Sequence, residues 1–174
     1  FRTIIQPSID VFTKIHKLYP KVQSKFWQID QLRHLIEPRV TYTFVPEPNR
    51  VPSQLLQFDG LDTLDKQNFF RLSYRNKLQT RRRGQTVDIL DVEIFSNFHP
   101  SSNTPALDRF NNPHRFSDIF TDSRYRIFDW LAIDMRSSYD AYNSDLTSLL
   151  ADVALINGDQ WNISLRQRQL VGQN

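Results

Sequence analysis

The feature that most restricts this chain is an alternation of apolar and polar residues with period two. From Phe69 onward, Phe70, Leu72, Tyr74 and Leu78 fall on one face of an extended strand, and Arg71, Ser73, Arg75 and Lys77 on the other. A helix would mix the two sets. The same sorting places Ile5, Pro7, Ile9 and Val11 against Gln6, Ser8 and Asp10, and Ile36, Val40, Tyr42 and Phe44 against Glu37, Arg39, Thr41 and Thr43. Leu90, Val92 and Ile94 oppose Asp91 and Glu93, and Leu131, Ile133 and Met135 oppose Asp134 and Arg136. Two further runs set Leu149, Ala151, Val153 and Leu155 against Ser148 and Asp152, then Trp161, Ile163 and Leu165 against Asn162, Ser164, Arg166 and Arg168. The pattern predicts an all-β antiparallel meander of about seven long strands.

Register follows from cross-strand matching. A turn near Arg83-Gly84 that sets Arg75 opposite Glu93, Lys77 opposite Asp91 and Leu78 opposite Leu90 pairs charge with counter-charge and apolar with apolar. Around Asn157-Gly158-Asp159 a three-residue loop pairs Leu155 with Trp161, Val153 with Ile163 and Ala151 with Leu165. Pro7 and Pro38 sit inside strand-like runs; proline cannot donate to the ladder, so each marks an edge, a bulge or a weakened pairing.

Connections differ in length. Residues 46–68 and 99–124 read as long loops, whereas the links near residues 82–85, 141–144 and 157–159 are short. Long loops on one rim and short turns on the other is the habit of a transmembrane barrel. The link after Asn157 breaks this alternation, being tight where a long loop is due. Aromatic residues gather at strand ends: Tyr42, Phe44, Phe69, Phe70, Phe95, Phe98, Phe128, Trp130 and Trp161 are assigned to one edge, as an interfacial girdle would be. Phe128 and Trp130 fit only if a bulge resets their parity.

Composition removes other classes. Cysteine is absent, so no disulfide or thiolate chemistry is possible, and glycine numbers only 4. Apolar runs are too short for a membrane helix of roughly 20 residues. A barrel remains open, since alternating strands average to an unremarkable mean hydropathy such as the −0.53 here. Net charge is only +3, too balanced for a nucleic-acid-binding arm. His16, His34, His99 and His114 are scattered without metal-ligand spacing, and no nucleophile elbow or phosphate-binding glycine loop occurs, so no metal, cofactor or catalytic residue is expected. Asp91 and Glu93 read as a charge ladder with Lys77 and Arg75, and Arg81-Arg82-Arg83 as a solvated strand end. Strand parity places Arg39, Arg71, Arg75, Asp91, Glu93, Asp134, Arg136, Arg166 and Arg168 on one polar face, a candidate lumen lining. Two readings of this face stay open: a mutually neutralising charged wall, and a lining that accommodates a phosphorylated amphiphile through charge-assisted hydrogen bonds. Leu72, Tyr74, Val92, Ile133, Val153 and Ile163 are the matching lipid-facing candidates, and Tyr42, Phe44, Phe70, Phe98 and Trp161 the girdle.

One segment carries a resemblance. His34-Leu35-Ile36-Glu37-Pro38-Arg39-Val40-Thr41-Tyr42-Thr43-Phe44-Val45-Pro46 resembles the "H-x-(L/I)-E-P-R-x-x-Y-x-(Y/F)-V-P" strand of the lipopolysaccharide-assembly outer-membrane family LptD, also called organic solvent tolerance protein OstA. Gln6-Pro7, Gln57-Phe58-Asp59, Asp62-x-x-Asp65, Asn76-Lys77-Leu78-Gln79-Thr80 and Asp129-Trp130-Leu131 agree with that context. The resemblance implies a Gram-negative outer-membrane barrel of about two dozen strands that inserts lipopolysaccharide into the outer leaflet. It further implies an LptE-like lipoprotein plug and periplasmic lipopolysaccharide-bridge components as partners, beside the bilayer itself. The family's periplasmic jelly-roll and the cysteines of some members are absent here, and Pro38 is not assigned to a lateral gate. The chain, 1–174, therefore reads as a single internal segment of such a barrel, an open curved sheet in isolation, with neither a leader at Phe1-Arg2-Thr3-Ile4-Ile5 nor a closing aromatic after Leu170. Two alternatives stay open: a general porin or channel, and a soluble β-sandwich acting as a carbohydrate-binding module.

Overall fold

A computed structural model describes residues 5–46, 66–158 and 160–170. The strands are β1 (Ser8–Phe12), β2 (Ile15–Ser24), β3 (Ile29–Val45), β4 (Gln67–Arg82), β5 (Gln85–Phe98), β6 (Ala106–Leu107), β7 (Pro113–His114), β8 (Ile119–Phe128), β9 (Leu131–Asp140), β10 (Asp145–Asn157) and β11 (Trp161–Leu170). Nine of them form one antiparallel sheet in the order β1-β3-β4-β5-β8-β9-β10-β11, with β2 also on β3, while β6 and β7 make a small hairpin in the loop after β5. The sheet is not closed: β1 and β2 form one edge and β11 the other. Most of the 46–68 loop, with Gln57-Phe58-Asp59 and Asp62-x-x-Asp65, lies outside the described residues, as do residues 1–4 and 171–174.

Two strands exceed the expected seven. β8 occupies what reads as the end of the 99–124 loop, and its outward positions Thr121 and Ser123 are polar, so the apolar half of the alternation is missing there. β2 carries a mixed pattern for the same reason, with Leu18 opposite Arg33 and Lys17 opposite His34. β1 and β2 share one register on β3, since Phe12 pairs Arg39 and Ile15 pairs Ile36. The gap between them falls opposite Pro38, whose nitrogen has no hydrogen to give the ladder; Thr13 N still donates to Pro38 O at 3.3 Å. Pro7 lies just before β1, and its carbonyl still accepts from Phe44 N at 3.2 Å.

The first hairpin closes as expected, pairing Arg75 with Glu93, Lys77 with Asp91 and Leu78 with Leu90. Beyond Leu78 a bulge shifts the register, and Arg83 (φ 51°) and Gly84 (φ 79°) make a two-residue turn with both φ positive, the twist that suits a hairpin. The last hairpin differs from expectation by two residues: Asn157 pairs Trp161, Leu155 pairs Ile163 and Val153 pairs Leu165. An even shift leaves every side chain on its face. It also sets Asp152 opposite Arg166, which donates to it at 2.7 Å, where the expected register put Ser164.

With β8 counted, alternation of loop length is regular except at residues 141–144, a tight turn on the long-loop rim; the link after Asn157 belongs to the short-turn rim. The aromatic residues accordingly divide between two rims instead of one. Tyr42, Phe44, Phe70 and Phe98 stand at the long-loop rim, whereas Trp161, Phe128 and Trp130 stand at the short-turn rim. A bulge after Tyr125 brings Phe128 opposite Leu131 and so onto the apolar face. Along β9 the apolar face runs from Leu131 to Tyr139, about 26 Å at the usual rise per residue.

Burial is inverted relative to a globular domain. Glu37, Ser73 and Asp91 are buried, while the only buried apolar residues among those described are Val45, Ala106 and Ala132. Leu72 is 42%, Tyr74 45%, Val153 36% and Ile163 62% exposed, and Val92 and Ile133 are half-buried. Among the described residues no second sheet covers that face, since the substantial element contacts run between hydrogen-bonded neighbours. Some of the polar groups it carries are satisfied locally: His34 Nε2 lies 2.9 Å from Asn76 Oδ1, and Ser123 Oγ donates to Met135 O at 3.4 Å.

Candidate functional site

All nine polar-face candidates stand on one face, because antiparallel register carries parity from strand to strand. Arg39 faces Ser73, Arg75 faces Glu93, Asp91 faces Arg124, Asp134 faces Asp152, and Leu150 separates Arg136 from Arg168. The charges neutralise one another both directly across the strands and on the diagonal. Arg75 donates two bonds to Asp91, at 2.7 and 2.6 Å, and Lys77 lies 3.1 Å from the same carboxylate and 3.0 Å from Asp88. Arg39 donates to Glu37 at 2.7 Å, with Lys14 3.5 Å away, and Thr41 donates to Asp10. On the other half Arg126 grips Asp134 with bonds of 3.1 and 2.9 Å, and Arg136 lies 3.5 Å from Asp122. Arg71 and Arg168 have no carboxylate within ion-pair distance among the described residues.

Two clefts open on this wall. One of about 430 Å³ is lined by residues of β1, β3, β4 and β5, and the other, of about 450 Å³, by residues of β8 to β11. Asp122, Arg124 and Arg126 belong to the second, and they were hidden in the sequence with β8 itself, although their own spacing of two was the available signal. Phe69 and Phe95 share the parity of Arg71 and Glu93 and face the charged wall, so they do not belong to the girdle. Asp91 is the acceptor both cations share, and it is buried. Asp91→Asn is expected to destabilise the folded protein by about 1–2 kcal/mol, since Arg75 and Lys77 keep their charge and lose their partner. A double-mutant cycle with Arg75→Met, read by urea unfolding, checks this: the second substitution should cost much less once the first is made.

Arg82 is not a solvated strand end. It is 9% exposed and donates to Gln28 O at 3.1 Å, Trp27 O at 3.4 Å and Arg126 O at 3.2 Å, as well as to Ile127 O and to Asp129 at 3.2 Å. It thereby ties the turns before β3 and after β8 to the turn after β4. Trp27 stacks on Phe128 at 5.6 Å, and Phe128 on Trp130 at 5.2 Å.

At the opposite rim Asp108 holds the loop between β5 and β8 onto the turn after β9. Its carboxylate accepts from Phe110 N and Asn112 N at 2.8 Å each, from Asn112 Nδ2 at 3.0 Å, and from His114 Nε2 and Asn143 Nδ2 at 3.2 Å each. His114 stacks on Tyr142 at 3.7 Å, and Arg109 binds Asp145. Burial raises the Asp108 pKa, but the donors from Asn112, His114 and Asn143 outweigh it and hold the group below the ordinary carboxylate range. A depressed folded pKa contributes stability that is fully present above the unfolded value of about 3.9 and is lost as pH falls below it. Hydrogen-exchange protection in residues 99–118, taken relative to the intrinsic rate at each pH, should therefore fall between about pH 5 and about pH 2. Asp108→Asn should show low protection at both; Asp140, held low by donors from Asn143 and Tyr142, sets the residual pH dependence.

Among the described residues no group of His, Asp and Glu is arranged to hold a metal ion, and no helix is long and apolar enough to cross a membrane. What the fold defines is an open antiparallel sheet with one ionic and one apolar face. No protein-family model and no curated protein matches the chain.

Proposed function

We propose that the chain is a segment of a bacterial outer-membrane β-barrel, with its apolar face against lipid hydrocarbon and its charged face lining a wet lumen. The observation that carries this is an apolar face left uncovered by the described residues and bounded at both strand ends by aromatic residues, while ionic groups pair on the other face. In water such a face would be a large aggregation-prone patch; in a bilayer it is matched to its solvent. Its task is insertion of lipopolysaccharide into the outer leaflet, with a lipoprotein plug and periplasmic bridge components as partners and no bond-making step. That part rests on the resemblance of His34 to Pro46, whose Glu37 and Arg39 stand on the charged wall.

Reconstitution of the protein into vesicles carrying brominated lipids tests the membrane reading. Trp130 and Trp161 should be quenched by bromine near the headgroups more than by bromine at the chain ends; absence of quenching would return the β-sandwich alternative. Depletion in cells should lower surface lipopolysaccharide, whereas solute flux with unchanged surface lipopolysaccharide would identify a porin.

A further inference from the structure

Half-buried aromatic residues on the charged wall need a reason, because a face that meets only water gains nothing from the part of a ring left open to it. Phe69, Phe95 and Phe120 all stand there, at the long-loop end. Phe95 and Phe120 stack at 5.1 Å, and the Arg71 guanidinium lies 3.7 Å above the Phe95 ring. Among the described residues, Arg71 Nε is buried without a hydrogen-bond partner. The ring, not an acid, thus holds this guanidinium beside the 430 Å³ cleft, which Phe69 also lines.

The charge around the cleft decides what it takes. Asp10, Glu37 and Glu93 balance Arg39, Arg71 and Arg75, so the lining is neutral overall and offers no excess for a polyanion. It sets donors beside acceptors: Glu93, like Arg71, has no ion-pair partner among the described residues. A sugar ring matches both features, since its hydroxyls donate and accept at once and its C–H face suits the negative face of an aromatic ring.

We propose that this cleft is a binding site for a neutral saccharide chain, with Phe69 as the platform under one ring and Arg71 and Glu93 taking its hydroxyls. Phe95 and Phe120 are positioning residues that hold Arg71. The inference rests on the lumen reading for its setting, but its chemistry is local.

Equilibrium dialysis of the detergent-folded full chain against labelled maltoheptaose tests it. Phe69→Leu should weaken binding about tenfold, Phe69→Trp should retain it, and Arg71→Lys, which keeps the charge but loses the planar fork, should weaken it comparably. Inorganic phosphate should not compete. Binding unchanged in both Phe69→Leu and Arg71→Lys, or displacement of the sugar by phosphate, would overturn the proposal. Lipid quenching of Trp161 in the same preparations separates the two readings. Quenching without sugar binding removes only this site, and sugar binding without quenching removes only the membrane.

Discussion

Arg82→Ala is expected to lower the unfolding free energy by about 3 kcal/mol or more, the largest effect of any single side chain on the charged or turn surfaces. The guanidinium satisfies carbonyls of Trp27 and Gln28 in the turn before β3 and of Arg126 and Ile127 at the end of β8, far apart in the chain. Alanine cannot replace those donors, and water reaches the site poorly because Arg82 is almost wholly covered. Lysine restores the charge but not the planar arrangement of five donors, so Arg82→Lys should recover only part of the loss. Arg83 provides the control: it is exposed, and its contact with Asp129 at 3.3 Å is a surface pair, so Arg83→Ala should change stability by no more than about 0.5 kcal/mol. Equilibrium urea unfolding of lipid-folded protein, followed by Trp27 fluorescence, measures all three. A loss below 1 kcal/mol (about the worth of one ordinary hydrogen bond) for Arg82→Ala would mean the three turns hold together without it.

The second large effect concerns the uncovered face and depends on depth. Met135→Arg lies midway between Leu131 and Tyr139 on β9 and should cost about 2–4 kcal/mol in a bilayer. Tyr139→Arg, at the rim, should cost about 0–1 kcal/mol. The gradient arises because a charge near the midplane has no water within reach, whereas at the headgroups it does. On a water-facing sheet both positions would behave as surface substitutions, and the two costs would be equal within error. Unfolding from vesicles by urea distinguishes the cases, and equal costs would sink the membrane assignment.

Much of this arrangement is readable in advance because parity is stereochemical. Successive side chains point to opposite faces whatever the strand's neighbours do. Hence Arg71, Arg75, Asp91 and Glu93 could be placed together, and Leu72, Tyr74 and Val92 opposite them. The method stops where the apolar half of the pattern is absent, as at Thr121 and Ser123 of β8. Losing that strand misassigned every rim after it, including that of Trp161. Phe69 and Phe95 were legible by the same parity and were obscured only because their position near strand ends suggested a girdle.

By itself, then, the amino-acid order determines the face on which each described side chain of the long strands stands, and the first hairpin's register, since both depend on neighbours close in the chain. The tertiary structure alone decides the two-residue offset that brings Asp152 to Arg166, the division of aromatics between rims, and the covering of Arg82. The offset depends on where the turn closes, which alternation leaves open because a shift of two keeps every side chain on its face; the rims and Arg82 depend on strands distant in sequence, and a hydrogen bond from Arg82 to a carbonyl some 45 residues away leaves no local periodicity to read.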